Sequence, residues 1–209
     1  MPLEERFTDI YNKNKWHGEQ SKSGTGSDLH NTQVMRPQVI ELINSLNINN
    51  MIDAPCGDFH WMKEVLPHLN IKSYLGVDIV KALIEDNTTK YEVPNKIHFQ
   101  HIDVLKTTLP KTDLIFCRDC LVHLSVASIK EVLWQFKKSG ATYLLTTTFT
   151  NRVHNGDIVD GNWRYINLLL PPYNFIEPIE LINEGCTEGK GQFTDKSLGL
   201  WKLEDITCN

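Results

Sequence analysis

The sequence predicts an α/β protein whose mostly parallel sheet is doubly wound, with helices on both faces. Five short apolar runs, at residues 51–54, 73–77, 96–102, 113–117 and 141–149, are strand candidates. The stretches between them are long enough for crossover helices, and several have helical spacing. Near the end, two further strand candidates lie too close together for a crossover. With 209 residues, 41% of them hydrophobic, the chain can build one substantial core but not two full domains.

The first thirty residues are polar, with SKSGTGSDLHNT at 21–32, and read as a disordered leader or as a lid over a site, so 1–35 is expected to be a lid or extension. From 36 to 46, Val39, Ile40, Leu42, Ile43 and Leu46 fall near helical spacing. The strand at 51–54 precedes a turn, APCGD. After it Phe59, Met62, Val65, Leu66 and Leu69 predict a helix ending near Pro67. SYLGV at 73–77 is a strand ending at Asp78, and a helix is expected over 79–87. Residues 96–102 alternate imperfectly, and DLIFC at 113–117 is apolar enough to be fully buried. Ser125 can cap a helix that places Ile129, Val132, Leu133 and Phe136 on one face. Gly140 separates that helix from the β-branched run at 141–149. A long irregular segment then spans 151–176, and such loops are often functional. The tail offers strands near 179–183 and 200–206. Their connection, EGCTEGKGQFTDKS, has no room for a buried helix, so a hairpin is expected.

A net charge of -5 disfavours nucleic acid as the main partner. No apolar run approaches the roughly 20 residues of a membrane helix, and the polar N-terminus does not resemble an export signal. Five cysteines, Cys56, Cys117, Cys120, Cys186 and Cys208, are an odd count that reads as reduced thiols in a cytoplasmic protein. Cys117, Cys120 and His123 are spaced like a metal or dithiol motif. However, Cys117 falls in a buried strand and a fourth ligand is unassigned, so no metal is expected. No feature sets an oligomeric state.

Asp53, Asp78 and Asp103 fall at or just after the first three strands, where doubly wound sheets bind ligands. Asp78 follows Asp53 by 25 residues, close to the separation that puts a carboxylate on ribose hydroxyls. Such a bond is worth ~1.5–3 kcal/mol. The turn carries only Gly57 where a dinucleotide site would want G-x-G-x-x-G, and Asp58 would repel a pyrophosphate. A nucleoside bearing a sulfonium and an amino-acid tail fits better, with Asp103 accepting the adenine amine. Each aspartate taken alone could equally be a solvated turn residue.

On DAPCGDF (53–59), YLGVDIV (74–80), HIDVL (101–105) and DLIFCRDCLVHLS (113–125), the chain resembles the class I S-adenosylmethionine-dependent methyltransferases over about 51–149. The resemblance implies a Rossmann-like, seven-stranded sheet with only the last strand antiparallel. A narrower resemblance, to small bacterial methyltransferases of surface-polysaccharide (capsule) biosynthesis, rests on segments 15–32, 118–125 and 146–175. It implies S-adenosyl-L-methionine as cofactor, S-adenosyl-L-homocysteine as product and a small-molecule acceptor. By resemblance, Asp53 and Gly57 line the methionine side, Asp78 holds ribose, and Asp103 with Val104 holds adenine. Ser21, Ser23, Gly24 and Ser27 lie over the amino-acid end, while Trp16, Arg36, Ala54, Ile79 and Arg118 complete the cofactor set. The single glycine of the first turn departs from the family pattern.

Methyl transfer needs an acceptor aligned ~3–3.5 Å from the methyl carbon. A hydroxyl acceptor also gains from a base. His123 is the candidate base, and Asp119, four residues earlier, would orient it from the same helical face. In the 151–176 segment, Trp163 and Tyr165 can stack on a sugar, Arg164 can bind an anion and Asn167 can hydrogen-bond. His154 and Asp157 are reserve acid–base groups. The reading is O-methylation of a small sugar or sugar-phosphate acceptor. N-methylation of an amine, an NAD-dependent oxidoreductase and a non-catalytic nucleoside-binding protein are the alternatives.

Overall fold

A computed structural model describes residues 1–207; Cys208 lies outside the described residues, so its expected thiol does too. Seven strands form one sheet in the order β3-β2-β1-β4-β5-β7-β6. They are β1 (Asn50–Asp53), β2 (Ser73–Asp78), β3 (Ile97–His101), β4 (Leu114–Cys117), β5 (Tyr143–Phe149), β6 (Glu180–Asn183) and β7 (Lys196–Lys202). The pairs β1–β2, β1–β4, β2–β3 and β4–β5 are parallel, whereas β7 is antiparallel to both β5 and β6. The expected doubly wound sheet with a single antiparallel last strand is therefore the observed one.

The pleat explains how both faces are covered, because neighbouring strand residues point to opposite sides. Met51, Leu114, Phe116 and Leu145 pack against α2 (Met35–Ser45) and α3 (Met62–Val65). Ile52, Ile115, Cys117 and Leu144 pack against α5 (Val126–Lys138), through Ile129, Val132, Leu133 and Phe136. The Ser125 hydroxyl accepts the Ser128 N–H and caps α5, as expected. Such a cap is worth about 1 kcal/mol. Between β2 and β3, α4 (Lys81–Tyr91) buries Leu83 and Ile84.

Two expectations are corrected, and one of two alternatives falls. The helix after the first turn shrinks to α3 and a 3-10 turn, Leu66–His68, because Phe59 at φ 58° still belongs to the turn. The last strand runs Lys196–Lys202, not 200–206, with the buried Lys196 and Ser197 at its start. The polar leader is not a disordered coil, since α1 (Leu3–Asn12) opens the chain and residues 16–32 follow in defined turns. Among the described residues, no helix is long and apolar enough to cross a membrane.

Candidate active site

A crevice opens beyond the carboxyl ends of β1 to β4. Its walls include Asp53, Gly57, Asp78, Ile79, Asp103, Val104, Arg118, Asp119 and His123, while Trp16, Ser23 and Ser27 roof it. The topology accounts for the gathering: β2, β1 and β4 are hydrogen-bonded neighbours, so their ends share one rim.

The first turn is tied to the second strand. Cys56 N–H donates to the Val77 carbonyl at 2.9 Å and Gly57 N–H to Asp78 Oδ2 at 3.2 Å. The other Asp78 oxygen accepts the Val80 N–H at 2.9 Å. Asp53 is 3% exposed and accepts the Tyr74 hydroxyl at 2.8 Å. Burial pushes Asp53 up to about 8, with the Tyr74 bond pulling the other way. Burial likewise raises Asp78, to about 6, against the backbone N–H groups of Val80 and Gly57. Carboxyls that burial holds this high suit a ligand that brings positive charge. Asp103 accepts the Leu105 N–H at 3.0 Å and pairs with Lys106 at 2.9 Å, so it braces its own turn while facing the crevice.

His123 sits on a 3-10 turn, Leu121–His123, after β4. Its Nδ1 lies 2.9 Å from the Asn162 carbonyl oxygen, an acceptor, which fixes the proton on Nδ1 and leaves the Nε2 lone pair free. Burial lowers its pKa, with the Asn162 bond and the Asp119 charge acting in the opposite sense. The Trp16 ring lies against the imidazole, centroids 4.8 Å apart.

Asp119 does not orient His123 as the sequence suggested. Its φ of 54° breaks the helical register, and its carboxylate faces Lys196 at 2.6 Å and Arg118 at 3.3 Å. Burial opposes its charge, but Lys196 and Arg118 outweigh burial and hold the carboxyl well below the usual range. Arg118 is clamped by Glu184 at 2.7 Å, and Lys196 also approaches Glu184 at 3.4 Å. Burial opposes the Arg118 charge too, and the Glu184 and Asp119 carboxylates override it and raise its pKa. The sequence reading missed Glu184, Glu188 and Lys196, whose partners are remote in the chain. It also missed Leu3, Phe7 and Tyr11 of α1, which roof the crevice at a helical spacing visible in LEERFTDIYN.

Several expected site residues lie elsewhere. Ser21, Gly24, Ala54 and Arg36 do not line the crevice. Ser21 is buried, bonded to Asp58 at 2.8 Å; Gly24 packs under Trp16; Ala54 is fully buried and its N–H donates to the Phe116 carbonyl at 2.9 Å. Arg36 points to the Leu29 carbonyl, 3.3 Å away.

The 151–176 segment stands behind the 3-10 turn and contributes no residue to the crevice wall. Arg164 is 8% exposed and donates to the Gly156, Leu121 and Val122 carbonyls and to the Tyr173 hydroxyl, so it has no face left for an anion. Asn167 bonds the Arg152 carbonyl at 2.9 Å and braces the same loop. Asp157 accepts the Val126 N–H at 2.8 Å at the start of α5. Trp163, 44% exposed, packs edge-on against Phe193, Tyr165 stacks with Arg152, and His154 is an exposed neighbour of Tyr165. Arg164→Ala should therefore lower stability by roughly 2–4 kcal/mol, through unmet buried carbonyls. Denaturant unfolding checks this, and an unchanged midpoint would contradict it.

Seven strands in this order, with the ligand crevice at the strand ends, define the class I methyltransferase fold. No protein-family model matches the chain, and no curated protein matches it. The N-methyltransferase NodS from Bradyrhizobium japonicum WM9, solved with S-adenosyl-L-homocysteine, is 16% identical with a TM-score of 0.65, over 92% of this chain and 97% of that one. Human N-acetylserotonin methyltransferase, solved with S-adenosylmethionine, gives 16% and 0.65 over 97% of this chain and 60% of its own length. A S-adenosylmethionine-dependent methyltransferase from Clostridium acetobutylicum ATCC 824 gives 14% and 0.58 over 82% of this chain and 92% of that one.

Proposed function

We propose that the chain is an S-adenosylmethionine-dependent methyltransferase acting on the hydroxyl of a small acceptor. The observation that carries the reading is His123, whose Nε2 lone pair is left free in a crevice that also gathers Asp53, Asp78 and Asp103. The crevice fits the cofactor: its three strand-end carboxylates suit a cation with ribose and adenine attached, and the neighbours crystallised with that cofactor or its product share the fold. When bound, the cofactor supplies a methyl carbon activated by positive sulfur. Asp78 would hold the ribose, Val104 and Asp103 the adenine edge, and Asp53 the positive end. His123 Nε2 would take the proton of the acceptor hydroxyl. Trp16 covers one side of the imidazole.

Charge narrows the acceptor. Arg118, Lys196 and Arg164 are all engaged by protein groups, so a phosphate would find no free partner among them. A neutral sugar-type hydroxyl is favoured over a sugar phosphate, and a role in glycan synthesis follows from the sequence resemblance alone. The surplus of carboxylates also admits an amine acceptor, the second reading. A methyl-transfer screen of neutral sugars, amino sugars and sugar phosphates, read by mass with S-adenosylhomocysteine formation, tests the proposal. S-adenosylhomocysteine should form with a neutral sugar; turnover of sugar phosphates alone would overturn the charge argument.

Cofactor binding should release protons. Asp53 is held at about 8 and is neutral below that pH, and a bound cation stabilises its ionised form. Affinity for S-adenosylmethionine should therefore rise with pH up to about 8, by at most ~10-fold per pH unit. Calorimetry at pH 7 in buffers of different ionisation enthalpy should report about one proton released, and zero release would contradict this assignment.

A further inference from the structure

On one flank the roof of the crevice is fastened to its floor through a single carboxylate. Asp58, in the turn after β1, accepts the Ser21 hydroxyl at 2.8 Å and the Ser23 hydroxyl at 3.2 Å on Oδ1, and the Lys22 N–H at 2.9 Å on Oδ2. Its own N–H donates to the Ser23 hydroxyl at 2.9 Å. The backbone leaves room for this clasp only because residue 57 is glycine, at φ 53°, where a Cβ would overlap Ser23 Oγ. On its other side the segment is held by Arg118, which donates to the Gly26 carbonyl at 2.9 Å, and by the Thr25–Glu188 bond. Gly26 has little room for a side chain either, since a Cβ there would stand 3.2 Å from both Asp119 Oδ2 and Glu188 Oε2. Inside the segment, Asp28 gathers the N–H groups of Glu19, Gln20 and Ser21, so the strap is stiff between its anchors.

We propose that Asp58 is the latch of this strap, a positioning residue that sets how long the crevice keeps its cofactor and does not itself touch the reacting atoms. The inference rests on the crevice being the cofactor site. Its physical basis is that three donors converge on one carboxylate. Opening residues 21–23 breaks all of them together, whereas the Arg118 and Glu188 anchors can stay in place as a hinge. Charge-assisted bonds make that opening costly. An asparagine keeps the shape but loses the charge and half of the acceptor capacity.

The test uses the full chain with Asp58→Asn, and a Ser21→Ala/Ser23→Ala double variant as a second route to the same loss. Amide exchange of the ligand-free proteins should quicken ~10-fold or more over residues 21–23, with β1 to β5 as protected as before. Dissociation of S-adenosylhomocysteine, followed by tryptophan fluorescence, should quicken by roughly 10- to 100-fold while association is no slower. Unchanged exchange over 21–23 in both variants, or dissociation within twofold of the parent chain, overturns the latch. If S-adenosylhomocysteine does not bind the parent chain, the proposed function falls and the exchange experiment alone decides the latch.

Discussion

Replacing His123 by alanine is expected to cut turnover by about 10²-fold or more while leaving cofactor affinity nearly intact, the usual scale for loss of a general base. The imidazole is held by a backbone carbonyl, that of Asn162, so its proton sits on Nδ1 in the neutral ring. Its lowered pKa keeps Nε2 unprotonated near neutral pH, so activity should fall only when the pH drops below the ordinary histidine range. Asp119, committed to Lys196 and Arg118, cannot replace it. Steady-state kinetics on the true acceptor, paired with calorimetry of S-adenosylhomocysteine, check the prediction. A loss below about threefold would remove His123 from the chemistry, and the amine reading, which needs little basic help, would then lead.

Replacing Glu184 by alanine should have the largest effect on stability. Glu184 is 1% exposed and faces both buried cations, Arg118 at 2.7 Å and Lys196 at 3.4 Å. Removing one partner of a buried ion pair leaves charge uncompensated and costs about 3–5 kcal/mol. For a chain of this size, that corresponds to a fall of roughly 6–20 °C in thermal midpoint. The Glu184→Gln/Arg118→Met pair should recover much of the loss, because removing both charges avoids the penalty. A fall of less than about 2 °C in the alanine variant would show that the network contributes little.

What could be read from the sequence depended on how far apart the deciding partners were. The strands, their parallel order and the aspartates at their ends were legible, since each rests on a local apolar run followed by a turn. The start of β7 was not. Lys196 and Ser197 look like loop residues until Lys196 meets Asp119, 77 positions away, and becomes a core group. Arg164 failed in the same way, because three of its four partners are main-chain carbonyls that no side-chain pattern announces. Phe59 shows the limit of periodicity: its spacing suits a helix, while its positive φ keeps it in the turn. The α1 roof was within reach, given Leu3, Phe7, Ile10 and Tyr11 at helical intervals, but the polar residues between them hid it.

The proposed function requires that the rim formed by β1, β2 and β3 grip an adenosyl sulfonium. Isothermal titration of S-adenosylmethionine and of NAD into the protein and its Asp78→Ala variant tests it most directly. One S-adenosylmethionine should bind per chain, weakened by roughly 10-fold or more in the variant, and NAD should not bind. Binding of NAD in its place, or S-adenosylmethionine binding that ignores the Asp78 substitution, would contradict it.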